Sequence, residues 1–168
     1  EKGGWDIEEG ILENGLSAHV LCTYACRSCG SWNPSRYKGL INRCSNCHQR
    51  TCFMPSVGSG ISIENLIKVY NLFDLYVQYA ICEGFGMPQV EAASCGVPIA
   101  SVDYSAMEDV VRHTKGYPIK VEKMFRELNT NADRAYPSNK HLAEIIVSHF
   151  SKPESFRKDK SKQARKGA

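Results

Sequence analysis

Residues 75–102 constrain the fold more than any other part of the chain. Residues 75–81, Leu-Tyr-Val-Gln-Tyr-Ala-Ile, are nearly continuous in apolar or β-preferring side chains and predict a strand. A short helix is predicted over residues 88–95, opened by Pro88 and stopped by Gly96, and residues 97–102 read as a second apolar strand. Strand, helix and strand so closely joined make a parallel crossover, and parallel sheets are covered on both faces. The chain is therefore expected to be α/β, built on a Rossmann-like parallel sheet.

The loop inside that crossover carries the chemistry. It reads Glu83-Gly84-Phe85-Gly86-Met87-Pro88-Gln89-Val90-Glu91, with seven residues between the two glutamates. Two glycines let backbone N–H groups approach a ligand closely, and a helix N-terminus attracts phosphate oxygens. Two carboxylates beside that anion site are placed to accept from hydroxyl groups. The loop leaves the carboxyl end of a strand, where open α/β sheets bind ligands. A phosphorylated, hydroxyl-rich molecule fits such a pocket.

A second motif interrupts the α/β pattern. Residues 22–52 hold six of the eight cysteines, and four of them are spaced Cys26-x2-Cys29-x14-Cys44-x2-Cys47. Two Cys-x2-Cys turns supply four thiolates that converge tetrahedrally on Zn2+ and leave no open position, which makes a structural rather than a catalytic site. Disulfides and an iron centre are the alternatives. Cys22 and Cys52 bracket the module, either as free thiols, as a bridge or as substitute ligands. His48 is read as an exposed neighbour of the site.

The segment 22–52 also has five basic residues and no acid. Part of that charge offsets the net −2 of a tetrathiolate zinc centre. Together with Trp32 and Tyr37 it also suits protein or nucleic-acid contact through the module. Residues 151–168 contribute another +5 to a chain whose formal charge is only +3, so the remainder is acidic. That basic end is expected to be a disordered tail.

Elsewhere, a helix is expected from Trp5 to Leu16 and a strand over 18–21. Gly58-Ser59-Gly60 reads as a hinge. Ser62 is expected to cap a helix containing Ile63, Leu66, Ile67 and Tyr70. An amphipathic helix carries Leu142, Ile145, Ile146, His149 and Phe150. Cys82 and Cys95 are read as structural thiols, and Tyr79 and Phe85 as packing residues. No apolar run is long enough to span a membrane and no secretory signal is evident, so the expected compartment is the cytoplasm.

Residues 64–111, with the Glu83–Glu91 loop and Cys95-Gly96-Val97-Pro98-Ile99-Ala100, resemble the C-terminal donor-binding domain of group 1 retaining glycosyltransferases of the GT-B fold. A looser likeness continues through Arg134-Ala135-Tyr136-Pro137 to Phe150. The resemblance implies a hexosyltransferase-type enzyme moving sugar from a nucleotide-sugar to an acceptor hydroxyl with retention. It implies that Glu83 is the catalytic-side carboxylate lying against the donor sugar. Gly84, Phe85, Gly86, Met87 and Pro88 would hold sugar hydroxyls and diphosphate, and Glu91 the ribose. It further implies an Arg and Lys pair and an acceptor-binding N-terminal domain, neither found before Trp5. The expectation is an incomplete donor domain over 1–21 and 53–150, inactive alone, with a zinc-ribbon insertion at 22–52. The rival readings are a zinc-ribbon protein or nucleic-acid interaction module on a non-catalytic sugar-nucleotide fold, and a disulfide-stabilised extracellular domain.

Overall fold

The structure, a computed structural model, describes residues 6–55 and 61–168. Trp5 and the expected hinge Gly58-Ser59-Gly60 lie outside the described residues. The chain divides into two compact units, Glu1–Asn65 and Leu66–Ala168. The first helix thus groups with the cysteine segment, where the sequence had suggested a donor domain made from 1–21 and 53–150.

In the first unit, α1 (Ile7–Glu13) starts at Asp6, whose carboxylate accepts from the N–H of Glu9 at 3.0 Å. It stops at Asn14-Gly15, where Leu16 N–H returns to the Ile11 carbonyl at 2.9 Å. The strand expected over 18–21 is replaced by a turn. The Leu16 carbonyl accepts from the N–H groups of His19 and Val20, at 2.8 and 3.0 Å, and curls the chain before it can extend. Strands β1 (Leu21–Cys26), β2 (Trp32–Arg36), β3 (Ile41–Asn42) and β4 (Cys52–Phe53) then form an antiparallel sheet in the order β2-β1-β4-β3. Its core is small, made of Tyr24, Cys26, Cys44 and Cys52. The Tyr24 phenol closes the loop after β2, donating to the Gly39 carbonyl and accepting from Lys38 N–H, both at 2.9 Å.

α2 (Ile63–Tyr70) carries the chain from one unit to the next, and the Ser62 hydroxyl accepts from Asn65 N–H at 3.3 Å as its cap. The second unit contains β5 (Tyr76–Gln78), α3 (Met87–Ser94), β6 (Ile99–Val102), α4 (Ala106–His113) and β7 (Tyr117–Ile119). It continues with the hairpin β8 (Val121–Glu127) and β9 (Ala132–Pro137), then α5 (Asn139–Ser151) and α6 (Glu154–Gly167). The sheet β5-β6-β7 is parallel throughout, with Tyr76 opposite Ile99 and Ala100 opposite Tyr117. β6, at its centre, is completely buried. Ala100 and Val102 meet Met107 of α4, Ile119 of β7, Ala135 of β9 and Ile145 of α5 in one core.

α3 is closed by Gly96 at φ +83°, with Gly96 N–H on the Ala93 carbonyl and Val97 N–H on the Ala92 carbonyl. β5 is shorter than the expected 75–81, because the chain leaves the sheet after Gln78. The Ile81 carbonyl instead accepts from Ala135 N–H of β9 at 3.0 Å.

The basic end is a helix, correcting the expectation of a disordered tail. In α6, Ala164 is 1% exposed and packs with Ala93 and Ile99. Arg165 donates to the Cys95 carbonyl at the end of α3 at 2.8 Å. Lys160 donates to the Lys115 carbonyl at 2.6 Å and lies over the Tyr117 ring at 4.7 Å. Ala164 anchors the inner face, and the Arg165 and Lys160 head groups fasten the helix to backbone carbonyls at the end of α3 and before β7. No helix among the described residues is long and apolar enough to cross a membrane.

Candidate functional site

The crossover loop joins the carboxyl end of β5 to the start of α3, and the side chains of Glu83, Gln89 and Glu91 are hydrogen-bonded to neighbouring elements. Gly86 sits at the helix start with φ +80° and ψ 53°, a conformation that favours glycine. A Cβ there would stand 2.5 Å from Nε2 of Gln89. Gln89 is fully buried. Its amide donates to the Phe85 carbonyl at 3.3 Å and its oxygen accepts from the Ser101 hydroxyl of β6 at 2.7 Å. The loop is thus latched to the central strand through a single glutamine.

Glu83 is half-buried on this loop. Its Oε1 accepts from the Gln78 amide at 2.8 Å, and Gln78 in turn accepts from the Tyr76 phenol at 2.7 Å. Its backbone carbonyl accepts from the hydroxyl of Ser105 at 2.7 Å. Ser105, with φ +60° and ψ −151°, occupies a region that side-chain-bearing residues rarely adopt, the kind of strain that concentrates at functional sites. Glu91, half-buried on α3, accepts from the Tyr70 phenol at 2.9 Å. Burial foremost, then the charges of Glu83 and Glu91, push the Tyr76 pKa up.

The remaining loop residues face outward. Gly84, Phe85, Met87 and Pro88 are exposed, Phe85 and Met87 by more than half. Phe85 is therefore not the packing residue that the sequence suggested. Tyr79 does serve a structural purpose, donating to the Pro137 carbonyl at 2.8 Å beside Asn139 Oδ1 at 2.5 Å. Cys82 touches the guanidinium of Arg134, which is itself paired with Glu127 at 2.7 Å. His113 is exposed.

The cysteine cluster is a second, separate site. The Sγ atoms of Cys26, Cys29, Cys44 and Cys47 lie within 4.8 Å of one another. Cys26 and Cys47 are 3.6 Å apart, and Cys29 and Cys44 are 3.7 Å apart. A tetrahedron with metal–sulfur bonds of about 2.3 Å has edges of about 3.8 Å, so the four sulfurs fit a bound ion. All eight cysteines are free thiols. The two turns are built alike: Gly30 N–H returns to Cys26 O and His48 N–H to Cys44 O, with φ of +67° and +60° at Gly30 and His48. His48 is exposed, and its place in the turn is to close it.

Donors surround the sulfurs. The Ser31 hydroxyl first, then the N–H groups of Cys47 and Asn46, lower the Cys44 pKa to about 5. The Thr51 hydroxyl, then Cys29 N–H, lower that of Cys26 to about 7. At Cys47 the Gln49 N–H pulls downward, yet burial and the neighbouring thiols hold the pKa up at about 12. A cation among the four sulfurs would favour their thiolate forms, so that metal binding would release protons. Cys52 stands opposite Cys26, whereas Cys22 pairs with Ser35 further along β1, so these two do not face each other as a bridge.

The sequence pattern gives Tyr70 a place in a helix but no site role, and gives none to Gln78, Gln89, Ser101 or Ser105. For Gln89 a signal was present: it shares the inward face of α3 with Ala92 and Ala93, and a polar residue on such a face needs partners.

The model of the family Glycosyl transferases group 1 matches residues 53–164. That is most of the chain, which belongs to the group 1 glycosyltransferase family. The family transfers glycosyl groups and implies a nucleotide-sugar donor and an acceptor. The match takes in α3 and nearly all of α6, and leaves the four clustered cysteines outside it. No curated protein matches the chain.

Proposed function

We propose that the chain supplies part of the donor site, residues 83–91, of an enzyme that transfers a hexosyl group from a nucleotide-sugar to an acceptor hydroxyl with retention of configuration. The observation that carries this reading is the pair of carboxylates, Glu83 and Glu91, on either side of the glycine-capped start of α3 at the carboxyl end of β5. The loop Gly84, Phe85, Gly86, Met87 and Pro88, exposed except at Gly86, receives sugar hydroxyls and the diphosphate. Glu83 aligns the sugar and stabilises positive charge on it, and Glu91 accepts from the ribose. The bond from the anomeric carbon to the diphosphate breaks as the acceptor oxygen bonds to the same face, and the acceptor proton leaves with the diphosphate. Negative charge grows on the leaving group, so N–H dipoles fixed at a helix start stabilise the transition state more than the ground state. The four cysteines hold a structural Zn2+ that staples the first unit.

Calorimetry of the full chain against uridine, guanosine and adenosine diphosphate sugars tests the reading. One of them is expected to bind, and Glu91→Ala to weaken it by roughly 10- to 150-fold, the worth of a hydrogen bond to a charged group. Binding of nucleic acid with no affinity for any nucleotide-sugar would overturn it.

A further inference from the structure

Glu91 is not a free surface carboxylate, and its tether to α2 is specific. Oε2 accepts from the phenol of Tyr70, the last residue of α2, at 2.9 Å. That tyrosine is only 6% exposed. Its ring packs edge-on against Phe73 and Tyr76 at centroid distances of 6.0 and 6.2 Å, so the phenol has little freedom to turn. Burial first, then the bond to Glu91, push its pKa well up and keep it a donor at neutral pH. This is the hydrogen bond given to the Glu91 carboxylate among the described residues.

A carboxylate held at one oxygen by a neutral donor still presents an acceptor at the other. Acceptor-only chemistry selects hydroxyl donors, and an immobilised oxygen selects them by position. The other acid is held through the same cluster, since the Tyr76 phenol orients Gln78 and Gln78 orients Glu83.

We propose that Tyr70 is a positioning residue that fixes the Glu91 carboxylate with Oε1 open to the donor, and so makes the site select ribonucleotide over 2′-deoxyribonucleotide donors. This rests on the reading in which Glu91 meets the ribose. A mere tie between α2 and α3 would affect both kinds of nucleotide equally; a ribose reader distinguishes them.

The test uses the full chain with UDP, GDP and ADP, and then the tightest binder beside its 2′-deoxy counterpart, by calorimetry. The wild-type protein is expected to prefer the ribonucleotide by roughly 10-fold or more. Tyr70→Phe, which deletes one oxygen and keeps the ring, is expected to remove most of that preference while leaving deoxynucleotide affinity unchanged. An undiminished preference in Tyr70→Phe, with the preference abolished in Glu91→Ala, overturns the role of Tyr70 and leaves the ribose reading standing. Equal weakening of both nucleotides also overturns it, as a purely structural effect. If none of the diphosphates binds, or Glu91→Ala keeps the preference, the ribose reading fails and the inference with it. Tyrosine Cζ NMR of the wild-type protein supplies an arm that needs no variant: the ribonucleotide is expected to move the Tyr70 resonance and the deoxynucleotide to leave it. Equal movement by both counts against the proposal.

Discussion

Replacing Gly86 by alanine isolates the latch that holds the candidate donor loop. Two costs follow from the geometry. At φ +80° a side-chain-bearing residue is strained by about 1 to 2 kcal/mol. The new Cβ would also meet Nε2 of Gln89 at 2.5 Å. The end of a flexible side chain usually swings away from such a contact at little cost. Gln89 cannot, because it is fully buried and held by Ser101 and the Phe85 carbonyl. Displacing it forfeits about one buried hydrogen bond, on the order of 1 kcal/mol. Gly86→Ala is therefore expected to destabilise the second unit by about 2 to 3 kcal/mol. In a Gln89→Ala background the collision is gone, and the same substitution is expected to cost only the backbone strain of about 1 to 2 kcal/mol. Urea unfolding of the four proteins, followed by circular dichroism, measures the cycle. A Gly86→Ala cost below about 0.5 kcal/mol, or one identical in both backgrounds, refutes the reasoning.

Three further outcomes are expected. Metal analysis should return about one zinc per chain, and Cys44→Ser or chelation should unfold the cysteine unit while the urea transition of residues 66–168 stays in place; metal-free, oxidised cysteines would contradict the site. Ala164→Glu, which forces a carboxylate into the contact with Ala93 and Ile99, should cost more than about 2 kcal/mol in urea unfolding, whereas a detached tail would tolerate it. His149 is 1% exposed, and burial foremost lowers its pKa, so the fold favours the neutral imidazole. The unfolded chain then takes up the proton first, and stability is lost as pH falls below about 6.5; His149→Gln should flatten that part of the curve.

The features legible in the sequence were those encoded locally. Gly96 after a short helix, the run from Ile99 to Val102 and the paired Cys-x2-Cys turns each announce themselves within a few residues. The features that were hidden depend on distant partners. β5 ends early because Ile81 bonds Ala135 of β9, a partner no local pattern reveals. The hairpin has no local signature, because the interior of β8 is exposed on both faces and the strand has no alternation to read. α6 looked like a tail because its inner face depends so heavily on one alanine among lysines and arginines. At the site, the two glutamates were visible as a spacing, but Tyr70 and Gln78 orient them from other elements and acquire that purpose only in three dimensions.

The order β5-β6-β7 places strands that are consecutive in sequence side by side, each joined to the next by one short crossover. Such a sheet is assembled by successive small loop closures, and low contact order favours folding on the faster side for a parallel architecture. The cysteine unit has no comparable core and, on the zinc reading, reaches its native state only by capturing an ion. The tempo of one unit would then be set by chain topology and that of the other by the free zinc concentration.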